Sequence, residues 1–287
     1  MKSFMDLTCN EEPAMSVAYS LTPEAIEDSL AYLTRNQTKS QPNASYLATV
    51  QADGMVLEWR SNVVSWMTNL AGMLTFQVKT TALALNYFDR YLSVRSIQKK
   101  DVELIAMACV LAASKFNEQD ALTVVEAVSI ANDYSAADIV SAEKDLLKVL
   151  DWKLVAALPH DFLESYLALL DTDATVLDLC LDLLSRTAED MSLLEYLPST
   201  VALAVVSVAC DMLHMPFPRA RFELDASFGV VKEAVFALAH PAAPVEVECS
   251  TPTAPSKLKR SASPSGVEDV YSYDSPVCIK RQRLYSA

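Results

Sequence analysis

The side chains that invite a chemical reading are charges set into apolar helical patterns. From Val102 to Ala113 the only charge is Glu103, and small Ala106, Ala108, Ala112 and Ala113 alternate with large Leu104, Ile105, Met107 and Leu111. A helix apolar on all sides is a buried one. Directly after it come Ser114, Lys115, Phe116, Asn117 and Glu118, so an ammonium and a carboxylate stand where a core helix reaches the surface. Arg60 and Asp89 sit inside two other apolar faces, and a lone buried charge costs several kcal/mol, so these two are expected to pair with each other. The chemistry on offer is electrostatic contact. His160, His214 and His240 fall in no HExxH or triad-like pattern, and no nucleotide-binding fingerprint is present, so catalysis, a bound metal and a cofactor are not expected. A further constellation is Leu7, Cys9 and Glu11, in a stretch without helical period. In an extended chain these three share a face and offer two small apolar anchors and a carboxylate.

The elements that must position these groups are helical. The chain has 287 residues, 52% of them hydrophobic, but only four glycines, which leaves no Gly-rich phosphate loop and few tight hairpins. Residues 1–20 lack periodicity and read as a disordered arm without the basic start and apolar run of a signal peptide. Thr22-Pro23-Glu24 opens a short helix through Ile26, Leu30 and Leu33, and residues 35–52 read as polar linker. Amphipathic helices are predicted from Gly54 through Leu70 and from Gln77 to Leu92, followed by the apolar helix, by Ala121–Ala131, and by a helix opened at Ser135 with a capping-box pattern and ending near Leu150. The order then restarts with helices over 159–170, 172–190 and 198–213. The last is a second nearly all-apolar helix, about 95 residues after the first, which is the spacing of tandem modules. The stretch from 213 to 226 is short for a complete module, a final helix covers 226–239, and from His240 the composition turns to Pro, Ser, Thr and charge, the mark of a disordered tail.

Charge narrows the function classes. The net charge is −14, and the residues before the tail carry 17 basic and 32 acidic groups, whereas a DNA-backbone binder clusters Lys and Arg. No apolar stretch is long enough to span a membrane as a helix. The six cysteines show no CxxC pairing and read as reduced cytosolic or nuclear thiols.

Over roughly residues 59–170 the sequence resembles a cyclin box, through WRSNVVSWM, LNYFDRYLS, DVELIAMACVLAASKFNE and SAEKDLLKVLDW, with Arg60, Asp89, Leu104, Lys115 and Glu143 at the family's defining positions. The pair Trp66-Met67 and the amino-terminal L-x-C-x-E pattern make it similar to D-type cyclins. The resemblance implies an all-α chain of two tandem five-helix modules, the second degenerate, with boundaries at 1–20 (arm), 21–52 (N-terminal helix and linker), 53–157 (first box), 158–240 (second) and 241–287 (tail). It implies a non-catalytic subunit that activates a cyclin-dependent kinase at G1/S, with Lys115, Glu143 and Phe116 on the kinase, Arg60 and Asp89 locking two helices and Leu104 in the core. It also implies a retinoblastoma-type pocket protein on Leu7, Cys9 and Glu11, and a candidate substrate-docking groove at Trp59, Val63, Trp66 and Glu103. Alternatives stay open: Lys115 and Glu143 also read as an ion pair within the module, and two tryptophans at helical spacing read equally as a core face. Asn62 departs from the isoleucine of that groove. Thr251, Ser263 and Ser275 each precede proline as candidate phosphorylation sites, and KLKR with KRQR suggests nuclear as well as cytoplasmic residence. Kinase inhibitors are further candidate partners, nucleic acid and membrane are not, and a helical scaffold or a transcription factor of the paired-cyclin-fold type without kinase activation is the alternative function.

Overall fold

Thr22 caps the first helix, its hydroxyl accepting from the Ala25 amide at 3.3 Å, with Pro23 at the first helical position where no amide partner is needed. The structure, a computed structural model, describes residues 22–131, 133–170 and 174–240. Leu7, Cys9, Glu11, Thr251, Ser263 and Ser275 lie outside the described residues.

Helix α1 (Pro23–Asn36) and a one-turn helix α2 (Tyr46–Thr49) precede five helices: α3 (Leu57–Leu74), α4 (Val78–Leu92), α5 (Val102–Asn117), α6 (Val124–Ile130) and α7 (Ala136–Val149). Helix α5 lies among α3, α4, α6 and α7. Every residue from Ile105 to Ser114 is buried, as its two-sided apolar pattern predicts. The capping box at Ser135 forms: its hydroxyl accepts from the Asp138 amide, and the Asp138 carboxylate accepts from the Ser135 amide at 2.9 Å. That carboxylate is held below its usual range by the Ser135 hydroxyl and amide.

The second module is α8 (Pro159–Leu170), α9 (Ala174–Thr187), α10 (Pro198–Met212) and α11 (Phe228–Ala239), with α10 buried from Thr200 to Cys210. Where the first module has its fourth helix, the second has only a 3-10 turn, Arg219–Arg221. Stacked rings fill the space instead, Phe217 lying 5.4 Å from Phe222 and 6.3 Å from Phe228, with Tyr166 edge-on to Phe222 at 5.5 Å. The fold is therefore all-α with a degenerate second module, and no strand occurs among the described residues. No described helix is long and apolar enough to cross a membrane. Cys109, Cys180 and Cys210 are free and buried.

Residues 35–52 are not a polar linker, which corrects the sequence expectation. Gln37, Ser40 and Tyr46 are buried. The Gln41 amide donates to the carbonyls of Leu194, Glu195 and Tyr196 at 3.1, 3.2 and 3.1 Å, and the Gln37 carbonyl accepts from the Ser199 amide at 3.1 Å. On the other side Asn86 donates to the Ser40 carbonyl at 2.9 Å. The segment is a strap along the seam between the modules, and α1, which precedes it in the chain, packs on α8 through Leu30 and Leu33. Its polar residues satisfy buried backbone groups, a role with the same composition as a solvated linker.

His160, at the start of α8, has both ring nitrogens buried without a hydrogen-bond partner. Burial pushes its imidazole down from an ordinary 6.5 to about 4, with smaller opposing effects of Asp161, which raises it, and Lys79, which lowers it. Between those values the unfolded chain binds a proton that the folded chain refuses, so stability falls as the pH drops from 6.5 towards 4 and this dependence is flat above 6.5. The expected size is on the order of 2–3 kcal/mol. Urea denaturation of wild type and His160→Leu at pH 7 and 4.5 checks it. The variant loses this part of the slope; equal slopes would mean that His160 charges freely in the folded chain.

Candidate functional site: an ion pair and an apolar groove at the end of α5

Arg60 on α3 and Asp89 on α4 meet in the interior, each 2% exposed, through two parallel bonds, Nε to Oδ1 and Nη2 to Oδ2, both 2.8 Å. This bidentate geometry suits the planar guanidinium. Two further contacts had no sequence signal. The Tyr46 hydroxyl of α2 donates to Asp89 Oδ1 at 2.8 Å, and Arg60 Nη1 donates to the carbonyls of Ala188 and Glu189, at 3.0 and 3.4 Å, just past the end of α9. One guanidinium thus joins both helices of the first module to the second. Burial by itself disfavours the Arg60 charge, but Asp89 outweighs it and holds the group above its ordinary value. Burial, and then Asp89, push the Tyr46 phenol up, so it stays a neutral donor.

Where α5 surfaces, Lys115 Nζ lies 2.7 and 2.8 Å from the two Glu143 oxygens of α7, the lysine side chain 44% and the glutamate 13% exposed. The two meet within the module, as one of the open readings had it. The other carboxylate at this end, Glu118, is engaged within the module: it accepts from the Gln77 amide at 2.8 Å and from the Thr80 hydroxyl, so it caps the start of α4, where a helix N-terminus favours negative charge. The apolar side of α7 is core, since Ile139, Ala142 and Leu146 are buried.

What does face outward is Phe116, 48% exposed, on the rim of a groove of about 550 Å³. Across it stand Tyr32 of α1, Trp152 and Val155, all strongly exposed. Sequence reading missed these three. The chain reverses after α7, where Asp151 and Trp152 both take left-handed φ, 52° and 57°, unusual for side-chain-bearing residues. The reversal sets the Trp152 indole outward at 69% exposure while α4 pins the following strand of chain, Tyr87 donating to the Leu154 carbonyl at 2.7 Å and Arg90 to the Lys153 carbonyl at 2.9 Å. Lys39, Lys79 and Lys153 also line the groove, Lys79 paired with Asp161 and Lys153 with Asp151. Large exposed aromatics on a rigid frame are the anchors that protein interfaces use.

On α3, Trp59 and Trp66 are half-buried, Val63 is buried beneath them, Asn62 is exposed, and Lys99 sits over the Trp59 ring at 5.5 Å. Glu103 is half-buried and pushed up by burial and then by Asp133. Leu104 is half-buried at the edge of the first core and not at its centre. Among the described residues, no cluster of His, Cys, Asp and Glu could hold a metal.

Residues 28–155 match the cyclin N-terminal domain and residues 157–226 the cyclin C-terminal domain. The chain belongs to the cyclin family. It is 32% identical over 209 residues to cyclin-A2 of Gallus gallus, covering 72% of this chain and 52% of that protein. To the G1/S-specific cyclin-D1 of Mus musculus it is 28% identical over 218 residues, covering 74% and 73%. The chain spans about half the length of several curated relatives, cyclin-A2 among them. A viral cyclin from herpesvirus saimiri superposes with a TM-score of 0.65 at 18% identity, over 73% of this chain and 95% of that one, a likeness of fold. Relatives of A and D type are about equally similar, so these comparisons define the cyclin box and not the subtype.

Proposed function

We propose that the chain is a D-type cyclin, a non-catalytic subunit that binds and activates a cyclin-dependent kinase and recruits a retinoblastoma-type pocket protein for phosphorylation at the G1/S transition. The observation that carries the kinase half is the exposed Phe116, next in the chain to Lys115, facing Trp152, Val155 and Tyr32 across the groove, with the Lys115–Glu143 pair at the same end of α5. A partner helix laid there gains apolar contact from the aromatics, while the ammonium and carboxylate at the end of α5 hydrogen-bond backbone groups left open at its end. A kinase is active when its strand lysine meets the glutamate of its regulatory helix, and a protein that holds that helix inward switches on catalysis without taking part in bond making. Co-purification from growing cells tests this: a kinase active on a pocket-protein substrate is the expected companion, and its absence favours the second reading. That reading, a helical scaffold without a kinase, draws support from the mutual satisfaction of Lys115 and Glu143.

The pocket-protein half rests on Leu7, Cys9 and Glu11. Bound as a strand in a groove, the backbone supplies hydrogen bonds, Leu7 and Cys9 fill pockets, and Glu11 accepts from a donor. A peptide of residues 1–15 is expected to bind a pocket domain, and Cys9→Gly or Glu11→Lys to weaken it at least tenfold, about 1.4 kcal/mol, by calorimetry. Equal affinities would reduce the pattern to coincidence. Trp59, Trp66 and Glu103, with Val63 as floor, are proposed as a shallow substrate-docking surface. Residence in nucleus and cytoplasm is proposed too, with Thr251, Ser263 and Ser275 as phosphorylation sites that set lifetime and nuclear share. An unchanged half-life and distribution of Thr251→Ala would remove that role for Thr251.

A further inference from the structure

The seam between the modules holds a half-open pocket of about 130 Å³ that the kinase and pocket-protein readings do not use. Its walls come from both sides: Ala82, Leu85 and Asn86 from α4, Leu184 from α9, Leu193 from the turn before α10, and His160 from the start of α8. The size is close to that of a buried cavity that accepts benzene, about 150 Å³, so one six-membered ring fits and two do not. His160 lines this space with both ring nitrogens buried and unpartnered. A neutral imidazole carries one donor and one acceptor, so a hydroxyl, which does both, can pair with either tautomer once the ring turns towards it. Charge restricts the ligand further. Arg60 and Asp89, which also line the pocket, already neutralise each other, while the Asp190 carboxylate on the wall disfavours an anion and the Arg60 guanidinium disfavours a cation. Small-molecule sites at module boundaries have this character, apolar walls with a few polar groups.

We propose that the seam cavity is a binding site for an uncharged single-ring molecule bearing one hydroxyl, its ring against the apolar walls and its hydroxyl on His160. Such a ligand touches both modules at once and therefore stabilises their mutual arrangement.

The test is titration of phenol into the full chain, observed through the histidine ring signals. The chain has three histidines, and His214→Asn with His240→Asn leaves the His160 signal alone for assignment. The expected result is a saturable shift of the His160 ring with His214 and His240 unmoved, a raised melting temperature, at least tenfold weaker binding of toluene and no binding of benzoate. His160→Phe, which places a ring in the cavity, abolishes the phenol response. If that variant fails to fold, the wild-type comparison of phenol with toluene decides. Non-saturating shifts at all three histidines, or equal affinity for phenol and toluene, would overturn the proposal.

Discussion

Arg60→Ala lowers the melting temperature of the chain by roughly 6–12 °C, the equivalent of about 3 kcal/mol in a domain of this size. Three losses combine. The Asp89 carboxylate keeps one hydrogen bond, from Tyr46, but no counter-charge in a site where it is 2% exposed. The α3–α4 contact loses its bidentate lock. The carbonyls of Ala188 and Glu189 lose their donor, which loosens the second module on the first. Replacing one partner of a buried pair costs about 3–5 kcal/mol because the other charge stays behind, whereas Arg60→Met with Asp89→Leu removes both charges and is expected to recover much of the stability. The double variant still lacks the inter-module bonds, so full recovery would mean that these contribute nothing. Calorimetry on the single and double variants reads both outcomes. Kinase binding in Arg60→Ala fails through the fold; an unchanged melting temperature with lost binding would make Arg60 a contact residue.

Lys115→Glu and Glu143→Lys are expected to do the reverse. Their pair is partly exposed, and such bridges contribute about 0–1 kcal/mol, so the melting temperature moves little. In the proposed complex each charge also faces the partner, where truncating a desolvated, hydrogen-bonded charge costs about 2–5 kcal/mol, a loss of affinity of at least ~30-fold. The decisive variant is the swap, Lys115→Glu with Glu143→Lys. It restores the bridge inside the module but presents inverted charges to the partner. Kinase association that stays lost in the folded swap, measured by pull-down and activity, identifies the pair as a contact. Association that returns makes it a brace of α5 on α7, and the exposed ring of Phe116, tested by Phe116→Ala, would then carry the interface alone.

The sequence by itself determined the helices and their caps. Ala106–Ala113 and Val201–Ala209 could only be buried, since each is apolar around its whole circumference, and Thr22 and Ser135 placed two helix starts because capping depends on residues at most three apart. It also paired Arg60 with Asp89, because two isolated charges in apolar faces leave each other as the simplest partner. It left the modules' junction unread. Gln37, Ser40, Gln41 and Tyr46 have the polar composition of a linker, yet their partners lie as far away as Leu194 and Ser199. Hydrogen bonds between residues 153 to 162 positions apart leave no periodicity in the chain, and the same side chains serve equally well in water. Glu118 looked like a surface group for the same reason, and only the approach of α4 turned it into a cap. Tyr32, Trp152 and Val155 carried ordinary core composition. That they stand outside followed from the left-handed reversal at 151–152 and from the docking of α1 on the second module, both set by how the helices pack. Local periodicity fixes what is buried along one helix; which distant groups meet, and which apolar residues remain outside, is decided when the helices close on one another.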